Sequence, residues 1–488
     1  MTINKEYKDI IGTIFLALSI VMLGYMLISP FNQMIIHIDE YFTLSVLHFP
    51  ITDLAYVISH DVHPPLHYLL LKVVTDILTI LGLESNKIFI YKLMSIVPYA
   101  IILIISATKI KNEYGYLTAG LFAFSMAVMS EFLVYYSIIR MYSWAMLFVI
   151  LTFIYLKDVM DKNDTKSWAL LTIFSVLAAY THYFAAIPIV CIYVCLFVYL
   201  FMNDKEKLKY WIISAIAGII LFTPWLISLI SQVSFVSEGY WIPELTIKNL
   251  IGFLGYFVTS SRNLITCIFS IVIFAVFILY SLRKFGDMDR TDKFYILCGI
   301  IAYFGTIVIG TSVSIVRPIM VDRYLLPSAA VLWFVISFII GKIDAKKEFI
   351  ISFALVLLLL LAGISQISSS NEFWATNNMD KEAFFDQISQ DNNSIVINDA
   401  RNRMFYMEYS NCTEMYLLNP PSELYGYNLS ELHDTYEFKE ISKDEIPKLI
   451  EDNQDKNIYI ITKNSKFDKH IKTKPLIETK NVCFLKVL

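Results

Sequence analysis

Between His37 and Tyr68 the chain reads HIDEYFTLSVLHFPITDLAYVISHDVHPPLHY, gathering acids, histidines and prolines just beyond a long apolar run that ends at Pro30. Asp39 and Glu40 stand side by side, and Asp61, His63, Pro64 and Pro65 follow some twenty residues later. Ionised groups close to hydrocarbon are costly to hold, so carboxylates here mark either a wet loop or a site. The chemistry open to them is proton abstraction: a carboxylate within hydrogen-bond reach of a hydroxyl takes its proton as the oxygen attacks. An Asp at a helix start also serves as a simple cap, and that reading stands beside the catalytic one. His63-Pro64-Pro65 adds geometry. Two prolines fix two φ angles, keep a helix from starting early and deliver the next one from a defined point.

Composition names the class of scaffold that must position these groups. Of 488 residues, 57% are hydrophobic and 17% charged, with a mean hydropathy of +0.59, whereas soluble domains carry about a quarter charged residues. Repeated apolar runs near twenty residues long predict a polytopic α-helical membrane protein. The net charge of −4 is small and gives no reason to expect a nucleic-acid partner. The first span, roughly Ile10–Ser29, is longer than a signal-peptide core and no small-residue cleavage site follows it, so a retained signal anchor is expected. Tyr41–His48 and Asp53–His60 alternate apolar and polar residues at helical spacing, broken by Pro50, and predict short helices lying in the interface. Leu66–Leu83 carries His67, Lys72 and Asp76 and reads as a third interfacial helix.

Further spans are predicted at about 88–108, 115–134, 139–156, 168–184, 185–202, 211–231, 263–281, 294–314, 325–341 and 349–366, making about eleven with the first. If Leu66–Leu83 does not cross, the loops on one side hold Lys5 and Lys8, Lys109 and Lys111, Lys157, Lys162 and Lys166, Lys205, Lys207 and Lys209, Arg283, Lys284, Arg290 and Lys293, and Lys342, Lys346 and Lys347. Short loops with such an excess stay cytoplasmic, which puts the N-terminus inside. Asp39, Glu40, Asp61, His63, Arg140, His182, Arg317, Asp322 and Arg323 then fall in or near external loops, as does Ser231–Asn263 with its aromatic residues.

After about Gln366 the composition turns polar and Asn-rich, so residues 1–366 are expected to form the transmembrane domain and 367–488 a small extracytoplasmic α/β domain. Its β-like runs are Ser394–Ile397, Ile458–Ile461 and Val482–Val487, with a helical stretch at Lys381–Ser389. Asn392, Asn411 and Asn428 head glycosylation-type triplets, which an Asn-rich chain also produces by chance. Cys191, Cys195, Cys267 and Cys298 lie in apolar runs, where cysteine packs as a small hydrophobe. Cys412 and Cys483, in the polar tail, are open to pairing in an oxidising compartment, and no metal-ligand spacing is present.

The acidic pair followed by His63-Pro64-Pro65-Leu66 resembles the GT-C type membrane glycosyltransferases, in particular the family of protein O-mannosyltransferases and lipid A aminoarabinose transferases (glycosyltransferase family 39-like). In that family the first outward loop carries an acidic pair and then an H/K-P-P-L segment. Tyr136-Ser137 with Arg140-Met141-Tyr142, Thr181-His182-Tyr183-Phe184 and Arg323-Tyr324-Leu325-Leu326-Pro327 extend the resemblance over roughly residues 10 to 365. It implies a GT-C-like bundle with interfacial helices in its first external loop. The implied activity is a hexosyl- or pentosyltransferase reaction that moves a sugar from a dolichyl or undecaprenyl phosphate to a hydroxyl of a protein, glycan or lipid. The lipid-phosphate sugar would be a substrate, and no separate cofactor is expected.

In such a transfer the departing group is already a phosphate anion, so no protonating acid is required, in contrast to glycoside hydrolysis. One base and cations for the phosphate suffice, with inversion as the expected outcome. Asp39 is the candidate base and Glu40 the alternative. Cations are expected from Arg140, Arg262, Arg323 or His63, because a guanidinium grips two phosphate oxygens at once. A basic residue at a span end also anchors by snorkelling. Asp61, Tyr142, His182 and Tyr324 complete the expected substrate-binding set. The chain departs from the family pattern before Arg140, where Ile138 and Ile139 replace an acid that many relatives carry and Glu131 is the only acid nearby. That makes metal binding less expected. A polytopic transporter or lipid-linked sugar flippase is the alternative of another class; it would hold its polar residues near the bilayer midplane on broken helices.

Overall fold

The computed structural model describes residues 2–28, 38–83, 87–238, 242–286, 288–372, 388, 391, 393–398, 414–420, 423–424, 427–428, 438–462, 467–478 and 483–488. It divides into two compact units: one formed by Met1–Met34 with Val62–Ser370, the other by Ile35–Asp61 with Asn371–Leu488.

The first unit is helical. In chain order it holds α1 (Lys5–Ile28), α4 (Leu66–Leu81), α5 (Lys87–Ile105), α6 (Lys111–Tyr114), α7 (Tyr116–Val128), α8 (Ser130–Ser137) and α9 (Tyr142–Asp161). It continues with α10 (Thr165–Thr181), α11 (Tyr183–Asn203), α12 (Leu208–Glu238), α13 (Ile247–Gly255), α14 (Leu264–Phe285), α15 (Arg290–Val316), α16 (Leu326–Lys342) and α17 (Lys346–Ser365). Among the described residues nine helices are long and apolar enough to cross a membrane, α5 and α6 counting as one across a π turn at Ser106–Ile110. The pair α7–α8, bent by 68° where Met129 takes an extended conformation, makes a tenth if counted as one broken span. The span expected at 168–184 corresponds to the 17-residue α10, packed along α9 and α12 and shorter than those nine.

Sidedness follows from packing. Gly12, near the start of α1, lies so close to Tyr116, at the start of α7, that a Cβ on it would sit 2.2 Å from the Tyr116 carbonyl. The end of α5–α6 is therefore level with the beginning of α1, and no net crossing occurs between them. α4 accordingly does not span, as its charged residues predict. Ion pairs draw the basic loops together at that same end: Lys8 to Asp344 (2.8 Å), Lys109 to Asp158 (2.7 Å), and Lys342 to Asp292.

The middle of the bundle is α16, in which every residue from Leu326 to Ile340 is buried. Buried Tyr and Trp tips around it find carbonyl partners: Trp333 Nε1 donates to Phe257 O (2.5 Å) and Tyr303 Oη to Phe253 O (2.7 Å). At the edge, α12 leaves Ile212, Ile216, Ile219, Ile227 and Ile230 exposed, as a lipid-facing span should.

The second unit contains α2 (Ile38–Val46), α3 (Ile51–Ser59) and a six-stranded sheet. The sheet strands are β1 (Ser394–Asn398), β2 (Glu414–Leu418), β5 (Lys439–Ile441), β6 (Asn457–Thr462), β7 (Thr473–Glu478) and β8 (Cys483–Val487), in the order β5-β2-β1-β6-β8-β7. A separate two-stranded ladder pairs β3 (Glu423–Leu424) with β4 (Tyr427–Asn428). β5, β2, β1 and β6 are parallel, and β8 and β7 close one edge antiparallel. SIVIN and NIYIIT are apolar throughout their middles, without alternation, because parallel strands are covered on both faces. Their isoleucines meet Leu418, Ile441, Leu485 and Ile446 of α18 (Ile446–Asp452) in one core. The expected strands at 394–397 and 458–461 are present, as is the one at 482–487 over its described residues from Cys483 on. The expected helix at 381–389, the triplets at Asn392 and Asn411, and any pairing of Cys412 involve residues outside the described set.

Candidate functional site

His63-Pro64-Pro65 does what two prolines should. Pro65 sits at the N-cap of α4, the helix begins at Leu66, and it ends at Gly82, whose φ of 67° is the left-handed conformation glycine adopts without strain. Just ahead of this stop-and-start, His63 is held in the interior. Its Nε2 lies 3.3 Å from Arg140 Nη2. A guanidinium has no acceptor, so His63 Nε2 accepts and its imidazole is neutral at that nitrogen. Arg140 also reaches Tyr68 Oη (3.4 Å), and both are buried.

Arg140 lies in the short break between α8 and α9. Ile138 is extended and Met141 opens α9, which leaves Tyr142 as its first residue. The Tyr142 hydroxyl accepts from Arg323 Nε at 2.9 Å, joining two motifs 181 residues apart. Arg323 itself belongs to a one-turn 3-10 segment, Asp322–Leu325, that leads into α16.

His182 is the hub. Its ring is 5.8 Å from His63, 5.2 Å from Tyr142 and 4.8 Å from Tyr324, centroid to centroid. The break between α10 and α11 falls at this residue, two or three positions earlier than the apolar pattern suggests, because its own Nδ1 accepts from Phe184 N (3.1 Å) and caps α11. Burial, and then the neighbouring His63, Arg140 and Arg323, hold the His182 imidazole well below its usual range. It is therefore a neutral ring with its proton on Nε2. His67, which sequence reasoning passed over as part of a helix face, belongs to the same neighbourhood: burial and then the Arg140 cation lower it to about 3. A histidine one residue into α4 gave no separate signal.

Beside this cluster is a cavity of ≈ 380 Å³. His63, Pro64, His182, Tyr324, Gln232 and Arg317 line it with Leu229, Val233, Ile242, Val313 and Ile319. A few polar groups line an otherwise apolar chamber, the pattern of a site that orients an amphipathic ligand. Gln232 Oε1 accepts from Tyr183 Oη, which accepts in turn from Trp225 Nε1 (2.8 Å). Neither Gln232 nor Trp225 stood out in the sequence.

Five of the expected residues, with Arg140, thus come together: His63, Tyr142, His182, Arg323 and Tyr324. Arg262 does not join them; its Nη2 donates to Glu131, the acid noted before Arg140. Asp39, Glu40 and Asp61 belong to the other unit. Asp39 and Glu40 occupy the first turn of α2, where the helix dipole favours negative charge, Asp39 half-buried and Glu40 buried. Asp61 follows α3, its backbone N donating to Ile58 O (3.0 Å). Among the described residues no group of three or more His, Cys, Asp or Glu is arranged to hold a metal ion.

No protein-family model and no curated protein sequence matches the chain. Solved structures do. The chain is similar to ArnT from Cupriavidus metallidurans in its apo state, with a TM-score of 0.60, 10% identity and 97% of each chain covered. The same ArnT bound to undecaprenyl phosphate superposes with a TM-score of 0.58, at 10% identity and with 97% of each chain covered. Residue by residue the two sequences have little in common, yet the course of the chain is shared from end to end: the protein has the fold of the GT-C type membrane glycosyltransferases.

Proposed function

We propose that the protein is an integral membrane glycosyltransferase that takes a sugar from a polyprenyl-phosphate donor and places it, with inversion, on an acceptor hydroxyl at the outer face of the membrane. The observation that carries this reading is that Arg323, bonded to Tyr142, and Arg140, bonded to His63, flank the neutral His182, and that His63, His182 and Tyr324 line an apolar cavity together with Arg317. A greasy chamber lined by Arg317, with Arg140 and Arg323 bonded to residues beside it, suits a ligand with a phosphate head and a hydrocarbon tail. The bound state of the structurally similar ArnT, with undecaprenyl phosphate, supports the same ligand class.

In this reading Arg323 and Arg140 pair the donor phosphate, and they do so more strongly as the glycosidic bond breaks and charge collects on the departing oxygens. His63 and Tyr142 hold the two guanidinium groups in place. His182, kept neutral, adds no like charge to repel them and offers its Nε2 proton to a ligand oxygen. Asp39 takes the proton of the attacking hydroxyl, with Glu40 as the alternative base. The N-terminus and the basic loops face the cytoplasm and the C-terminal domain faces outward. The acceptor is a protein, glycan or lipid hydroxyl.

The test is to supply radiolabelled undecaprenyl- and dolichyl-phosphate sugars to membranes containing the protein and to identify what becomes labelled. Label transferred by the wild-type chain and lost in Arg323→Ala supports the reading. No transfer from any polyprenyl-phosphate donor, in a correctly inserted protein, sinks it.

A further inference from the structure

Arg323 is one residue from Asp322, and Asp322 is itself gripped. The backbone N and the side-chain Oγ of Ser261 both donate to Asp322 Oδ2, at 3.0 and 2.7 Å. Ser261 lies in the short connection between α13 and α14, 61 residues away in sequence. That connection has no slack. A Cβ on Gly252 of α13 would sit 2.3 Å from the Ser261 Cβ, and one on Gly255 would sit 2.9 Å from Cys267 of α14, so the helix and the loop touch backbone to side chain. The next residue, Arg262, donates to Glu131 of α8, the helix that leads into Arg140 and Tyr142. One loop thus holds two arms of the site: Asp322–Arg323 through Ser261, and the approach to Arg140–Tyr142 through Arg262.

We infer that Ser261 is a positioning residue for the transfer reaction. By clamping Asp322 it fixes the one-turn segment from which Arg323 reaches the Tyr142 hydroxyl, and so sets where the guanidinium meets the donor phosphate. This inference rests on the proposed glycosyltransfer. Its physical basis is that a two-point grip on a carboxylate removes the rotation a short 3-10 turn otherwise retains. A shift of about 1 Å in a charge-stabilising group costs on the order of a hundredfold in rate. Hydrogen bonds to a charged acceptor are also the stronger kind. Ser261 itself need touch nothing that reacts.

The experiment uses the full chain in nanodiscs with an undecaprenyl-phosphate sugar as donor. Ser261→Ala leaves the backbone donor alone and should raise the donor KM roughly tenfold. Asp322→Ala should do the same or more. Asp322→Asn retains an oxygen that accepts both bonds and should restore most of the loss. In an Arg323→Ala background, Ser261→Ala should cost nothing further, because the two act through one group. An unchanged donor KM in Ser261→Ala, or an equal further loss in the Arg323→Ala background, overturns the inference. If the wild-type chain transfers no sugar, the glycosyltransferase reading fails and the brace is judged separately by cryo-electron microscopy of Ser261→Ala. A displaced Arg323 side chain then sustains the brace, and one still on the Tyr142 hydroxyl refutes it.

Discussion

At the scale of single residues, the site joins groups that titrate in different ranges and then moves two of them. Asp39 is the proposed base, and Asp39→Asn keeps its shape while removing the proton acceptor. Transfer should fall by roughly 10²–10⁴, the usual contribution of general base catalysis, and Glu40→Gln should cost less. Initial rates at matched expression decide it; a larger loss at Glu40 reassigns the base. His67 makes a second prediction. Its folded value, lowered to about 3, lies far below the ordinary 6.5. Between those values the unfolded chain binds a proton that the folded chain refuses. The contribution is therefore fully present above about pH 6.5 and is lost as pH falls towards 3, by up to about 1.4 kcal/mol per pH unit. Thermal unfolding measured from pH 8 to 5 should show a falling midpoint, and His67→Leu should flatten that slope. An equal slope in the variant would show that other groups carry the acid sensitivity. Motif residues such as His63, Arg140, Tyr142, His182, Arg323 and Tyr324 were legible because they keep company in short runs of distinctive type. His67, Gln232 and Ser261 were not, because a polar residue in or beside an apolar segment looks the same whether it lines a cavity, braces a loop or merely satisfies a carbonyl.

At the scale of elements, the apolar runs announced nearly every span, and Pro50 and the Pro64–Pro65 pair announced where short helices begin. The sequence was less informative about breaks within apolar stretches. Met129, extended just ahead of Ser130 and Glu131, turns α8 by 68° away from α7; nothing in its own residue type marks it. Contacts between helices distant in sequence were also hidden. α1 and α7 meet at Gly12 and Gly120, where a Cβ on Gly120 would sit 2.0 Å from the Gly12 carbonyl oxygen. In lipid, where no hydrophobic force drives helices together, such close approach is what packing rests on. Gly120→Ala should therefore lower stability by about 1–3 kcal/mol, the cost of overpacking a fitted core. Gly24→Ala, on the same α1 with nothing within 4 Å of its Cβ, should be neutral or slightly stabilising. Thermal unfolding of the two variants side by side checks this. Equal behaviour would mean that the α1–α7 contact is looser than the geometry indicates.

At the scale of the whole molecule, charge distribution and packing answer the same question by separate routes. The basic loops share an end of the helical unit because their lysines pair there with Asp344, Asp158 and Asp292, the last through Lys342. The level approach of Gly12 to Tyr116 independently requires that α1 and α5 run in opposite directions, which leaves α4 on the far side without crossing. Neither observation says which compartment that end faces; the excess of lysine supports the proposal that it is the cytoplasm, since short loops carrying it are retained there. A reporter fused after Leu488 should consequently read outside, and one inserted in Lys205–Lys209 inside. Because α17 runs away from Lys346 and Lys347, its C-terminal end lies opposite the basic loops, so the two reporters test one statement. Both reporting the same side would mean an uncounted crossing after Lys209. Both inverted would keep the fold and move the proposed chemistry to the cytoplasmic face, where the donor head group would have to be presented instead.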